Sequence, residues 1–256
     1  MARWIRYTHG DITGFGTIAD GTITVHEGDM FTSASPTGAV LSLDDVTALT
    51  PTVAGKMLAL WNNSKAMAAK MNQAIPPEPL YFVKANGSYL GTDSTIRKPA
   101  AYDGKVVFEG ELGIVIGREC RARSETEARE DIFGYTCIND VTAMSIVGKD
   151  ASFPQWTRAK SFDTFGVFGP VVATGLDPGT LSIRTVLNDQ ERQNYSTSDL
   201  IFQPAQIVSL ISQDTTLHPG DVICCGTSVG VGSMKPGSTV EVTIDGIGTL
   251  RNRYDG

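Results

Sequence analysis

Histidine and cysteine are scarce in this sequence, with three of the first and four of the second among 256 residues. The cysteines, Cys120, Cys137, Cys224 and Cys225, show no C-x-x-C spacing, and the adjacent pair lies in an apolar strand pattern. A zinc site or a disulfide framework therefore has little support, and reduced core thiols in a cytoplasmic protein are the better reading. Long basic runs are missing too: 21 Lys and Arg are scattered among 28 Asp and Glu, for a formal charge of -7. Nucleic-acid binding would want a basic stripe, and none is present. No apolar stretch reaches the ~18 residues of a membrane-spanning helix. The opening "MARWIRYTHGD" lacks the apolar centre of a secretion signal. Neither nucleic acid nor a membrane is an expected partner.

What is there describes a globular chain rich in strands and turns. Hydrophobic residues make up 41% and charged ones 19%, with 27 Gly and 12 Pro. The pattern changes character near residue 75, which predicts a small N-terminal domain over 1–75 and a larger one over 76–256. In the first, Asp20-Gly21 between "FGTIA" and "TITVHE" signals a hairpin. "KMLALW" reads as a buried strand and "SKAMAAKMN" as a short helix, before the proline-punctuated "IPPEPLYFVK". In the second, Ser124 and Glu127 form a capping box on a short helix. Pro204 opens another helix, with Ile207, Leu210 and Ile211 on one face. Strand-like runs lie between these helices, so the fold class is a β-dominated α+β rather than a βαβ alternation.

The stretch "FEGELGIVIG", residues 108 to 117, sets two glutamates two positions apart in an otherwise apolar run. Val106, Val107, Phe108, Leu112, Ile114, Val115 and Ile116 predict one buried strand, whose period of two points Glu109 and Glu111 the same way. Two buried carboxylates side by side need positive charge between them. "GYTCINDVTA" ends a second apolar strand on Asn139 and Asp140. A hairpin-like return through the capped helix would bring Asp140 beside the glutamates. Three converging carboxylates suit a hard divalent cation such as Mg²⁺ or Mn²⁺. Spacing alone leaves a second reading open, in which each glutamate pairs with Arg or Lys in a structural network.

Six segments follow one another in order: "VVFEGELGIVIGREC", "GYTCINDVTA", "RAKSFDTFGVFGPVV", "LNDQERQNYSTSDLIFQPAQIVSLIS", "TLHPGDVICCGT" and "VEVTIDGIGTLRN". As a set they resemble the catalytic domain of the fumarylacetoacetate hydrolase superfamily, from about residue 78 to the end. The N-terminal 70 or so residues resemble the small, variable leader domain of many bacterial members. The resemblance implies a rolled β-sheet core and a divalent cation, Mg²⁺ or Mn²⁺, held by Glu109, Glu111 and Asp140. The lysine of a "KSFD" motif matches Lys160, the threonine of a "GT" loop matches Thr227, and the lysine of an "F-x-K" strand matches Lys84. Lys160 and Thr227 are thus the catalytic candidates, and Lys84, Gly226 and Asn139 the substrate-binding ones. On the sequence alone, Lys160 reads rather as an ordinary surface lysine. The resemblance also implies a homodimer formed through the catalytic domain.

Substrates implied by the resemblance are small 2-oxo or 1,3-dicarbonyl carboxylic acids, of the kind met in aromatic catabolism. Polarisation of their carbonyl stabilises an enolate as a C–C bond breaks. That chemistry serves acylpyruvate hydrolysis, decarboxylation of β-oxo acids and keto–enol or double-bond isomerisation. Two departures stand out. Hydrolytic members carry a His and a Glu, in a segment like "NYxxHxxE", that activate water; "LWNNSKAMAAKMN" has neither, and its Lys65 and Lys70 read as a solvated helix face. After "ND", where many members have Arg and Gln, this chain has Met144 and Val147, which argues for a different or smaller substrate. The histidines offer no substitute: His218 sits in an exposed turn, and His9 would reach the pocket only if the leader segment folded over it. The family-level expectation is a metal-dependent C–C bond hydrolase of the fumarylacetoacetate or acylpyruvate type. An oxaloacetate-type decarboxylase or keto–enol tautomerase follows closely, and an inactive scaffold is a further alternative.

Overall fold

One long sheet organises the chain, and the computed structural model describes all of residues 1–256. Its strands run in the order Ser35–Ser42, Thr22–Glu27, Ile12–Ala19, Arg3–His9, Gly166–Ala173, Ile132–Asp140, Gly110–Ile116, Val222–Cys224, Met57–Trp61 and Leu80–Lys84. A five-stranded sheet, centred on Ser182–Leu187 and Thr239–Ile244, packs over one face of this array. A third, small sheet joins Thr142–Ala143, Val106–Phe108 and Gly232–Ser233. Helices are short and peripheral, and none is long and apolar enough to cross a membrane. The architecture is the β-dominated α+β one that the sequence predicts, with a separate N-terminal strand region.

Local signals explain several of these elements. Asp20 and Gly21 both have positive φ, 48° and 75°, as a two-residue hairpin requires, and they join Ile12–Ala19 to Thr22–Glu27. The capping box on Glu125–Asp131 is formed, with the Ser124 amide donating to Glu127 at 2.9 Å. Pro204 opens Pro204–Asp214, in which Ile207, Val208 and Ile211 are buried. Leu210, expected on that face, is instead left 40% exposed.

Alternation at the centre of the long sheet decides where the carboxylates go. Along Gly110–Ile116, Leu112, Ile114 and Ile116 enter the main core beneath the five-stranded sheet. Val115 joins Ile138, Phe168, Val172 and Val222 in a smaller apolar cluster on the other face. By the period of two, Glu111 shares its face with Val115, and Asp140 shares its face with Ile138. The single strand predicted over residues 106 to 116 is broken at Glu109. Val106–Phe108 pairs in the small sheet, whereas Gly110–Ile116 pairs with Ile132–Asp140 and Val222–Cys224. At the break, the Glu109 amide donates to Asn139 Oδ1 at 3.0 Å, and its carbonyl accepts from the Asp140 amide at 2.9 Å.

Candidate active site

Strand register brings the carboxylates together. Glu111 pairs with Ile138 and Gly110 with Asn139, so Asp140 is a diagonal neighbour of Glu111 on the adjacent strand. One oxygen from each of Glu109, Glu111 and Asp140 lies within 4.8 Å of the other two. Glu111 and Asp140 are buried and Glu109 is partly buried. Two lysines supply positive charge. Lys84, at the end of Leu80–Lys84, donates to Asp140 Oδ1. Lys160, at the end of the helix Trp156–Lys160, reaches Asp140 Oδ2 at 2.5 Å and Glu109 Oε2 at 3.0 Å. Their exposures of 0% and 2% rule out surface roles. The lysine network and the three-carboxylate cluster, alternatives on the sequence, occupy the same place.

The charges shift one another. Burial alone would raise the Asp140 carboxyl, but Lys160 and Lys84 outweigh it and hold the group below the ordinary aspartate range. Burial would lower the Lys160 ammonium, yet Asp140, Glu109 and Glu111 keep it above the ordinary lysine range. Glu111 is the misfit. Burial first, and then Asp140, push its carboxyl well above the usual value, with Lys160 opposing. Its Oε2 accepts from the Gly226 amide at 2.8 Å, while its Oε1 is buried without a hydrogen-bond partner. Such an oxygen is costly to leave unmatched. Three carboxylates around an unmatched oxygen are the donor set that a hard divalent cation takes, so the residues present fit such an ion.

A cavity of about 240 Å³ opens onto Glu109 and Lys160 and is lined also by Thr227 and Asn62. Of the residues expected there, Lys84 and Asn139 do not line it. Lys84 is spent on Asp140, and Asn139, 1% exposed, holds the Glu109 amide. Gly226 does not line it either: its amide is committed to Glu111, and its φ of +90° with Asn63 close by favours glycine. The Thr227 hydroxyl donates to the Gly110 carbonyl at 2.9 Å and accepts from Gln193 Nε2 at 2.8 Å. His9 ends the strand Arg3–His9, exposed, and is not part of the lining; His218 is exposed beside Glu119. Lys65 and Lys70 are exposed on the helix Lys65–Lys70.

Comparison with known proteins identifies the family. Residues 56–254 match the family model described as fumarylacetoacetate (FAA) hydrolase C-terminal. The chain belongs to the fumarylacetoacetate hydrolase family. Residues 2–51 match a second model, described as Rv2993c-like, N-terminal. Similar members of the family carry several activities in their names. A 2,4-didehydro-3-deoxy-L-rhamnonate hydrolase from Sphingomonas sp. is 35% identical over 78% of this chain and 73% of its own. The oxaloacetate tautomerase YisK of Bacillus subtilis is 31% identical over 79% of this chain and 70% of its own. The crystal structure of a 5-carboxymethyl-2-hydroxymuconate delta-isomerase from Mycobacterium smegmatis superposes with a TM-score of 0.91, at 39% identity, over 99% of both chains.

Sequence reasoning missed the rest of the pocket of this fumarylacetoacetate hydrolase family member. Trp61, Phe82 and Trp156 form one wall with Met67 and Met71, beside Met144, which the sequence did single out at the place of the substrate-contacting arginine. A signal existed: Trp156 precedes Lys160 by four residues and Met67 precedes Met71 by four, so each pair shares a helix face. Asp199 was missed as well. It accepts from Ser64 Oγ at 2.5 Å, from Ser228 Oγ at 2.7 Å and from the Ala66 amide at 2.9 Å, tying the helix Lys65–Lys70 to two distant loops.

Proposed function

We propose that this protein is a divalent-cation-dependent enzyme that moves a proton at the carbon beside the 2-oxo group of a small oxo acid, a keto–enol tautomerase. Decarboxylation of a β-oxo acid is a second use of the same groups, and acylpyruvate hydrolysis is slower. One observation carries this reading: Glu109 and Lys160 are the charged residues in the cavity lining, and no histidine joins them. Mg²⁺ or Mn²⁺, held by Glu109, Glu111 and Asp140, would supply the positive charge that polarises a chelated 2-oxo group. Lys160 keeps its proton at Nζ, aimed by Asp140 and Glu109, where it can bind the substrate carboxylate, or give that proton to the carbon beside the 2-oxo group and regain one from the enol hydroxyl. Thr227, with its proton on the Gly110 carbonyl, shapes the wall and shuttles nothing. The apolar wall limits access of water to the reacting carbons.

Hydrolysis needs a positioned base to activate water, and losing one typically costs about 10² to 10⁴ in rate. Glu109, the one carboxylate in the lining, belongs to the cation-binding set. Hydrolysis remains the second reading because of the likeness to the Sphingomonas hydrolase. A panel of enol–keto interconversion of phenylpyruvate and oxaloacetate, CO₂ release from oxaloacetate, and cleavage of acetylpyruvate and benzoylpyruvate separates the two. The expected result is Mg²⁺-dependent loss of enol absorbance, with acylpyruvate cleavage at least about 10²-fold slower. Fast cleavage with no enol–keto turnover would overturn the proposal.

A further inference from the structure

The cavity lining is mostly apolar. Glu109 and Lys160 are its charged lining residues and Asn62 and Thr227 its uncharged polar ones; rings and thioethers make up most of the rest. The Lys160 ammonium lies 5.5 Å from the centroid of the Phe82 ring. Phe82 stacks on Trp156 at 5.8 Å and 16°, and Trp156 meets Trp61 at 5.7 Å and 42°. The ladder thus starts at the one cation in the pocket and leads away from it. Met71 and Met144 are 52% and 44% exposed, so large apolar side chains are held in contact with water at positions lining this cavity. Unbranched thioethers adapt to a range of apolar shapes. No arginine or histidine takes part in the lining, and Lys160 is already engaged by Asp140 and Glu109.

We propose that this wall selects longer 2-oxo acids that end in an apolar tail and rejects those whose chain carries a second carboxylate out to the wall, which the short chain of oxaloacetate does not. The proposal rests on the oxo-acid reading given above. A distal carboxylate seated against the rings and thioethers would lose its hydration and meet no cation except Lys160, which Asp140 and Glu109 already engage. An apolar tail on the same head gains the burial that the rings and thioethers offer. Trp61, Phe82, Trp156 and Met144 are then the specificity-determining residues. Met144 is the natural place for a change of preference, because it is partly exposed and its replacement disturbs no core packing.

The test uses two non-cleavable ligands of the same shape, 2-oxoglutarate and 5-methyl-2-oxohexanoate, in which an isopropyl group replaces the distal carboxylate. Two of the three tryptophans line the cavity, so intrinsic fluorescence of the full chain reports binding, with and without Mg²⁺. The expected result is Mg²⁺-dependent binding of 5-methyl-2-oxohexanoate about 30-fold tighter than 2-oxoglutarate, or more. Met144→Arg should narrow that ratio by about tenfold, by giving the distal carboxylate a partner. Equal affinities, or tighter binding of 2-oxoglutarate to the unaltered chain, would overturn tail selection and leave the oxo-acid reading standing. Failure of both ligands to bind in a Mg²⁺-dependent way would overturn the oxo-acid reading and this inference with it.

Discussion

Lys160 and Glu111 illustrate opposite ways in which a buried charge is handled. Lys160 is compensated on both sides, by Asp140 and Glu109, and stays charged although it is buried. Removing one partner of such a set leaves an uncompensated buried charge, which costs about 3–5 kcal/mol. Lys160→Gln should therefore lower Tm of the cation-free protein by roughly 10 °C, and added Mg²⁺ should restore more of it than it adds to the unaltered chain. An unchanged Tm would mean that Lys160 does not balance the cluster. Glu111 is under-compensated, and its folded-state pKa lies well above the ordinary 4.5. Its contribution to stability is fully present below that ordinary value and is lost as pH rises through the raised one. Cation binding needs the ionised carboxylate, so Mg²⁺ affinity should rise with pH over the same window, with release of a proton. Tm against pH, with and without Mg²⁺, measures this; a Glu111→Gln profile superposing on that of the unaltered chain would refute it. The carboxylates drew notice because charges inside apolar runs are a local signal, although the unbroken strand expected to align Glu109 with Glu111 is not what brings them together. Lys84 as the partner of Asp140 was not legible from the residues alone, since 56 positions separate them.

Among the elements, the helix Lys65–Lys70 is the most dependent on others. Six residues are too few to hold a helix in water, so its order comes from outside. Ser64 caps it through the Met67 amide at 3.0 Å, and Asp199 fastens Ser64, Ser228 and the Ala66 amide at once. Burial tends to raise the Asp199 carboxyl, but the hydroxyls of Ser64 and Ser228 outweigh it and keep the group below the ordinary range. Ser64→Ala should cost about 1 kcal/mol and speed amide exchange across residues 65 to 71. Because Met67 and Met71 line the cavity, KM should rise more than kcat falls. Unaltered exchange in that variant would show that the clasp does not order the helix. The helix itself was readable in "SKAMAAKMN", whereas its clasp was not, because Asp199 lies 135 residues from Ser64. The break at Glu109 was also hidden: apolar residues continue on both sides of Glu109–Glu111, and only the long-range pairing of Val106–Phe108 with two short strands reveals it.

At the scale of the whole molecule, one sheet carries both the N-terminal strands and the site. Arg3 pairs with Ala173 and Trp4 with Val172, so the N-terminal hairpins extend the sheet whose centre holds Glu111 and Asp140. Phe31 packs edge-on against Phe133 at 4.9 Å and strengthens that joint. The β-dominated class was legible from strand-like runs and turn signals, and the family from six ordered segments. The order of the strands was not, because it is set by pairings between distant parts of the chain that no local pattern records. The proposed function stands on one central claim, that Glu109, Glu111 and Asp140 together hold a single divalent cation. Titration of the purified full-length chain with Mn²⁺, followed by calorimetry or by the spectrum of free Mn²⁺, tests it most directly. The account predicts one Mn²⁺ per chain, displaced by excess Mg²⁺, with affinity lowered at least about tenfold in Glu111→Gln through loss of a ligand charge. Absence of stoichiometric binding, or undiminished binding in Glu111→Gln, would contradict it.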